Sequence, residues 1–299
     1  MKKLLINFAL IVFVINLSHS QEWMTNLGIA QKLALVQNKM VLMVWEETTK
    51  YPYPVLVKDD KGRTLLIENL FEDETVSPLI WNNFVPVIVN EDQYADLFLE
   101  IKDKRRQNYI DKFNDDSIKI MDVNGNILNA SDFSLDLPNI TELIETYALN
   151  TEFFTPELTG FQNEPTFYSA YYLASKYFDY SLYARKEIRA DVVQLANIYL
   201  TEAKILLDDS SSKDKETLMQ RADLLKIQEN LILKRPQKVI RQLKKIDTAS
   251  IANKNKGIVA FLYFTAYSCR GDEKKAELWK SKVSSVNLKK AQLIINLNS

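Results

Sequence analysis

The chain has 299 residues, 46% hydrophobic, with 38 Lys/Arg against 39 Asp/Glu, one histidine and one cysteine. That length buries sizeable cores, most simply as two domains. A lone Cys269 excludes an internal disulfide and zinc sites built from paired Cys, and loss of the lone His19 with a leader would also exclude a Ser-His-Asp triad, a Cys-His pair and zinc sites built from His.

Residues 1–20 read as a secretory signal. Lys2 and Lys3 form a positive start, Leu4–Leu17 is a mostly apolar run too short for a membrane span, and Ser18-His19-Ser20 places small residues before a cut at Gln21. The expectation is a periplasmic or secreted protein without a lipid or transmembrane anchor. Cleavage also removes His19, so the mature chain has no histidine. Charge is unevenly spread. Residues 21–150 carry 12 Lys/Arg and 22 Asp/Glu, whereas residues 151–299 carry 24 and 17. Such asymmetry predicts that the halves face each other or partners of opposite sign.

Glu22–Asn38 shows helical apolar spacing at Trp23, Leu27, Ala30, Leu33 and Ala34. Met40–Trp45 is a continuous apolar run, the pattern of a strand buried on both faces. Tyr51-Pro-Tyr-Pro54 breaks regular structure, and Val55–Ile67 reads as a hairpin turning near Asp59–Gly62. A short helix over Asp73–Trp81 precedes a second core strand, Phe84–Val89, whose Pro86 argues for its beginning or an edge. Tyr94–Phe113 reads as one charged amphipathic helix. Ile118–Leu128, with Asn124-Gly125 in its middle, is a strong hairpin signal. A closing helix follows within Ser131–Tyr147, broken near Pro138.

Strand signals then stop. Residues 151–165 read as a linker. Thr166–Tyr180, Glu187–Leu207, Glu216–Leu233, Pro236–Ile246, Lys256–Ser268 and Asp272–Val283 carry helical spacing with short polar turns. Successive helical hairpins predict a repeat-like array.

The order helix, strand, strand, helix, strand–Asn-Gly–strand, helix over roughly residues 22–150 resembles the thioredoxin-like fold of exported bacterial proteins. Ile118-Lys-Ile-Met-Asp-Val-Asn-Gly-Asn-Ile127 is similar to the strand and Asp-x-x-Gly turn of that family. Two departures matter. The family's Cys-x-x-Cys position falls on Trp45-Glu46-Glu47-Thr48-Thr49, which has no sulfur, and its cis-proline position falls near Asp116, inside Phe113–Ser117. The resemblance therefore implies a redox-inactive domain, residues 21–150, without thiol–disulfide exchange. Tyr267–Trp279, with Gly271-Asp272 at the turn and Ala276 beyond it, resembles one tetratricopeptide repeat, which implies an all-α protein- or peptide-binding domain over 166–299.

The fold expected is thus an α/β thioredoxin-like domain followed by an all-α helical-hairpin domain. The function expected is a non-catalytic scaffold that binds a protein or peptide, with no cofactor, no metal and no nucleic acid. The candidate surface is Lys234, Arg235, Lys238, Arg241, Lys244, Lys245, Lys274 and Lys275, within a segment of 15 Lys/Arg and four acidic residues, which also suits an anionic envelope component. One alternative is a carboxylate enzyme using Glu46, Glu47 and Asp116, which needs no His or Cys. Another is a single-thiol redox role for Cys269.

Overall fold

The computed structural model describes residues 22–131 and 137–299; residues 1–21, where the signal is expected, and 132–136 lie outside them. The chain divides into two compact units. One runs to Met121 and resumes over Ser131–Leu149; the other comprises Asp122–Ala130 and Asn150–Ser299.

The first unit is built on a small mixed sheet. Helix α1 (Leu27–Gln37) begins at Asn26, whose side chain accepts the Ile29 N–H, and ends at Asn38 in the left-handed conformation (φ 56°). The predicted start at Glu22 is corrected: Met24 forms a parallel bridge to Val87, its N–H reaching the Pro86 carbonyl at 3.1 Å. Strand β1 (Met40–Trp45) is central. β4 (Phe84–Val89) runs parallel to it and β5 (Lys119–Met121) antiparallel, in the order β4-β1-β5. Met40 to Val44 are fully buried, as a strand covered on both faces requires. Pro86 sits on the edge strand, where its missing donor breaks no ladder. β2 (Val55–Lys58) and β3 (Thr64–Ile67) form the predicted hairpin, turning through Gly62 at φ 74°.

Three expectations for this half change. The single helix over Tyr94–Phe113 is two, α3 (Glu91–Ile101) and α4 (Gln107–Asn114), after α2 (Val76–Asn83). Between Ile101 and Tyr109 the sequence is wholly polar and mostly charged, so nothing there anchors a turn to the core. The hairpin over Ile118–Leu128 forms its turn, with Gly125 at φ 82° and the Asp122 N–H on the Asn126 carbonyl at 3.0 Å, but among the described residues β5 is its only strand. Among the described residues the closing helix is α5 (Ile140–Tyr147), capped by Asn139; the part of the expected segment at 132–136 lies outside them.

The second unit is helical. The expected linker is instead a 3-10 turn (Glu152–Phe154) running into α6 (Thr155–Asn163). Pro156 occupies the first turn, where its lost N–H has no partner to lose, and Phe154 and Leu158 are fully buried. α7 (Phe167–Ser181), opened by a Thr166–Ser169 capping box, packs along α8 (Lys186–Asp208) through Ala170, Ala174, Ala196 and Ala203. α9 (Lys215–Ile232) and α10 (Pro236–Leu243) form the next pair, α11 (Lys256–Ser268) and α12 (Glu273–Lys280) the third. A further helix, α13 (Ser285–Asn298), was absent from the sequence expectation; Ser284 caps it, and Ala291 and Ile294 enter the core with Leu231, Leu243 and Leu262.

Leu262 is fully buried in that core, whereas Leu278 is 69% exposed. Leu262→Ala is expected to cost about 2–5 kcal/mol, and Leu278→Ala no more than about 0.5 kcal/mol, in urea unfolding followed by circular dichroism.

Candidate functional site

The segment after β1 is a single turn of 3-10 helix, Glu46–Lys50. Glu46 and Glu47 are exposed. The Lys50 ammonium pairs with the Glu47 carboxylate, and the Thr49 hydroxyl donates to the Glu46 carbonyl at 2.8 Å. Paired carboxylates working as acid and base must face one another across a concave surface. An exposed turn with one carboxylate already neutralised does not provide that, so the acid–base reading of Glu46 and Glu47 is set aside. Trp45 instead turns inward: its ring stacks on Tyr94 at 5.1 Å, and its indole N–H donates to Glu91 at 3.1 Å.

Tyr94 joins this segment to the loop at Phe113–Ser117. Its other face stacks on Phe113 at 4.4 Å, and its hydroxyl donates to the Phe113 carbonyl. Asp116 in that loop is exposed, so it is not the residue that organises the region. Asp115 does. Its carboxylate accepts the Ser117 N–H at 2.9 Å and the Ser117 hydroxyl, with the Lys119 ammonium at 3.1 Å and the Lys112 ammonium at 3.6 Å. Lys119 has no exposed surface and also donates to the Asp115 carbonyl, while Lys112 donates to the Ser117 hydroxyl at 2.6 Å.

Burial pushes the Lys119 amine down to about 8, with Asp115 opposing. Burial works against the Asp115 anion too, but the Ser117 hydroxyl and the two ammoniums hold it below the usual carboxylate range. Burial, then the Asp115 charge, pushes the Tyr53 phenol up to about 12.

A cleft of about 580 Å³ adjoins Lys112 and Ser117 and is walled by Leu56, Ile118, Leu143 and Tyr147. Ser117 gives its hydroxyl proton to Asp115 and takes one from Lys112, so it is not arranged as a nucleophile on a neutral base. The region is a closed knot of rings and charges. Sequence reasoning named Asp116 and passed over Asp115, Lys112, Lys119 and Tyr94. The usable signal was Lys119 itself, a lysine inside the apolar run Ile118–Met121.

In the helical unit Asp122 is a fully buried carboxylate. Its carboxylate accepts the N–H groups of Asn124 and Asn126, both at 3.0 Å, the Tyr177 hydroxyl at 3.3 Å and the Tyr199 hydroxyl. The two phenol rings stack at 5.6 Å, and Asn124 donates to the Tyr199 oxygen at 2.8 Å. Complete burial pushes the Asp122 carboxyl up to about 6, against four hydrogen bonds that favour its anion.

The structure places the candidate basic residues as follows. On α10, Val239, Ile240 and Leu243 are buried, Arg241 is exposed and Lys238 half-exposed; Lys244 and Lys245, just past its end, are exposed. Lys234 closes α9 in the left-handed conformation (φ 57°), and Arg235 follows it. Among the described residues, none of these six cations forms an ion pair. Lys274 is exposed on α12, but Lys275 is engaged by Asp272 at 2.6 Å and lies over the Tyr267 ring. The structure does not bring all eight together as one set of free charges. Cys269 is half-buried against the α9–α13 core, and burial pushes its thiol up to about 11. A thiol protonated at neutral pH is a poor nucleophile, which disfavours the redox reading.

No family model, no curated protein and no solved structure matches this chain.

Asp115→Asn takes from the fully buried Lys119 ammonium the carboxylate it faces. It is expected to destabilise the first unit by about 3 kcal/mol or more in chemical denaturation. Asp122 gives a pH test. Between its ordinary 3.8 and about 6 the native carboxyl keeps a proton that the unfolded chain has released, so its contribution to stability falls as pH rises through that window. Asp122→Asn lacks that titration. Relative to the parent, the variant is expected to gain up to about 3 kcal/mol between pH 4 and pH 6, read from paired unfolding curves.

Proposed function

We propose that this chain is an exported, non-catalytic protein-binding or scaffold protein, in which a degenerate thioredoxin-like unit is joined to a tetratricopeptide-like helical unit. The periplasmic or secreted location rests on the character of residues 1–20 and on the cut before Gln21. Among the described residues, no helix is long and apolar enough to cross a membrane.

The thioredoxin-like reading is supported by β1 lying between a parallel β4 and an antiparallel β5, as the strand order of that family implies. The return strand after Gly125 is lacking. The repeat-like reading is supported by three consecutive helix pairs, α7 with α8, α9 with α10 and α11 with α12. The Gly271-Asp272 turn joins the last pair, with Gly271 at φ 70° and the Asp272 side chain accepting the Lys275 N–H.

The observation that carries the functional reading is the stripe of Lys238 and Arg241 on α10 with Lys245 just beyond its end, none of them ion-paired among the described residues. Cations left without counter-charge on a helix already packed by its other face suit an acidic partner. Against that, the position where a dithiol would sit holds an exposed, thiol-free turn.

A photo-reactive phenylalanine analogue placed at position 241 or 245 of the full chain, expressed with its leader, should give a discrete adduct in the cell envelope. The same group at position 47 should give none. Adducts confined to position 47, or none at any of the three, would overturn the reading.

A further inference from the structure

A solenoid-like unit ends in a helix that covers the core with one face and presents a polar face to water. α13 departs from this. Leu288, Ala291 and Ile294 meet the core, but its outer side carries Val286, which is 73% exposed, and Leu293. Opposite them, at the turn that closes α7, stand Tyr180 and Tyr183, the latter 68% exposed, with Phe153 completing the wall. Together they enclose a groove of about 560 Å³.

Its shape is held before any ligand arrives. Lys290 of α13 is ion-paired with Asp179 of α7, which ties the two walls together. Tyr180 rests edge-on against the buried Phe154 at 4.9 Å, and Leu182 packs on the α9–α13 core. Lys176 lies over the outer Phe153 ring at 4.5 Å. Lys290 and Lys176 are neutralised by Asp179 and Glu157, but Lys289 on the rim is exposed and, among the described residues, forms no ion pair. The groove is thus apolar inside with an unmatched positive charge at its lip, in a half of the chain that already carries seven more cations than anions.

We propose that this groove is a peptide-docking site that takes a segment in which an aromatic or aliphatic anchor is flanked by carboxylates. The proposal deepens the protein-binding reading and rests on it. Charge complementarity selects the occupant: the anchor fills a concave apolar slot, and a neighbouring carboxylate meets Lys289. A membrane surface fits less well, because a concave slot between two helices cannot lie against a lipid plane. A second copy docked by the same face would bring Lys289 against its own counterpart.

The test uses a fluorescein-labelled peptide Ser-Gly-Asp-Glu-Phe-Leu-Asp-Glu-Gly-Ser titrated with the mature full chain, read by anisotropy. One counterpart has Ser-Ser in place of Phe-Leu, and another has amides in place of its acids. The parent peptide should bind and both counterparts should be weakened. Val286→Ser with Leu293→Ser should weaken the parent peptide about tenfold, and Lys289→Glu about threefold with a loss of salt dependence. These side chains are exposed, so thermal melting should not move. Binding that ignores these substitutions but is lost on reversing Arg241 and Lys245 would overturn the groove and leave protein binding standing. Absence of peptide binding would also overturn it, and position-241 crosslinking then judges the broader reading separately. Vesicle sedimentation with phosphatidylglycerol that depends on Val286 and Leu293, without peptide binding, would overturn it in favour of lipid.

Discussion

The fate of one carboxylate governs much of this architecture. Asp122 follows β5 directly, where a hairpin would normally carry the chain back along the sheet. Its oxygens are engaged instead by two backbone N–H groups of its own turn and by the phenols of α7 and α8. An ionisable group with no exposure persists only where such partners replace its water. The residues that offer those partners are in the helical unit, with which Asp122–Ala130 groups. A local rule, Asn-Gly making a tight turn, held for the turn; among the described residues no named strand follows it.

A second burial problem shapes the sheet unit. Lys119 lies within β5 and cannot reach water. Its ammonium is kept by Asp115, and Lys112 and Ser117 complete the set. Catalytic sulfur chemistry at this edge would need a thiol at a helix N-terminus, where backbone amides lower its pKa, and an adjoining loop open to a substrate. Here the first position is an exposed turn, and the loop is stitched closed by three charges and the ring stack of Trp45, Tyr94 and Phe113. Ion clusters of this kind are weak contributors to net stability but are strongly specific about geometry. That fits a loop kept in one shape rather than one that opens and closes during turnover.

The legible parts of the chain were those where one short-range rule decides. β1 and β4 could be read from continuous apolar runs, Pro86 as an edge residue, and both turns from glycine flanked by Asp or Asn. The helical half was legible from its spacing. What could not be read depended on contacts distant in sequence. Residues 151–165 looked like a linker because Pro156 and Gly160 are loop-rich signals, yet Phe154 and Leu158 gain enough burial to make a helix worthwhile. The break in α3–α4 is a lack of apolar residues over seven positions, a weaker signal than the amphipathic stretches on either side. α13 was missed because Lys289, Lys290 and Asn287 dilute its core stripe. Asp115 and Asp116 are adjacent in sequence and equivalent in composition; what distinguishes them is that the folded loop turns Asp115 toward Ser117, Lys112 and Lys119.

Those differences also direct attention within the helical unit. Its cationic excess was visible in the sequence, and a stripe of basic residues on α10 is the reading that composition alone favours. Exposed charges, however, exchange one hydrated state for another and supply modest energy at high salt cost. Exposed apolar side chains have the opposite balance, since removing them from water is favourable wherever a complementary surface exists. Val286, Tyr183 and Leu293 are left uncovered around a preformed groove, although α13 had the usual option of a polar outer face. The basic stripe is therefore better suited to attract and orient an acidic partner over distance, and the apolar groove to retain it once docked.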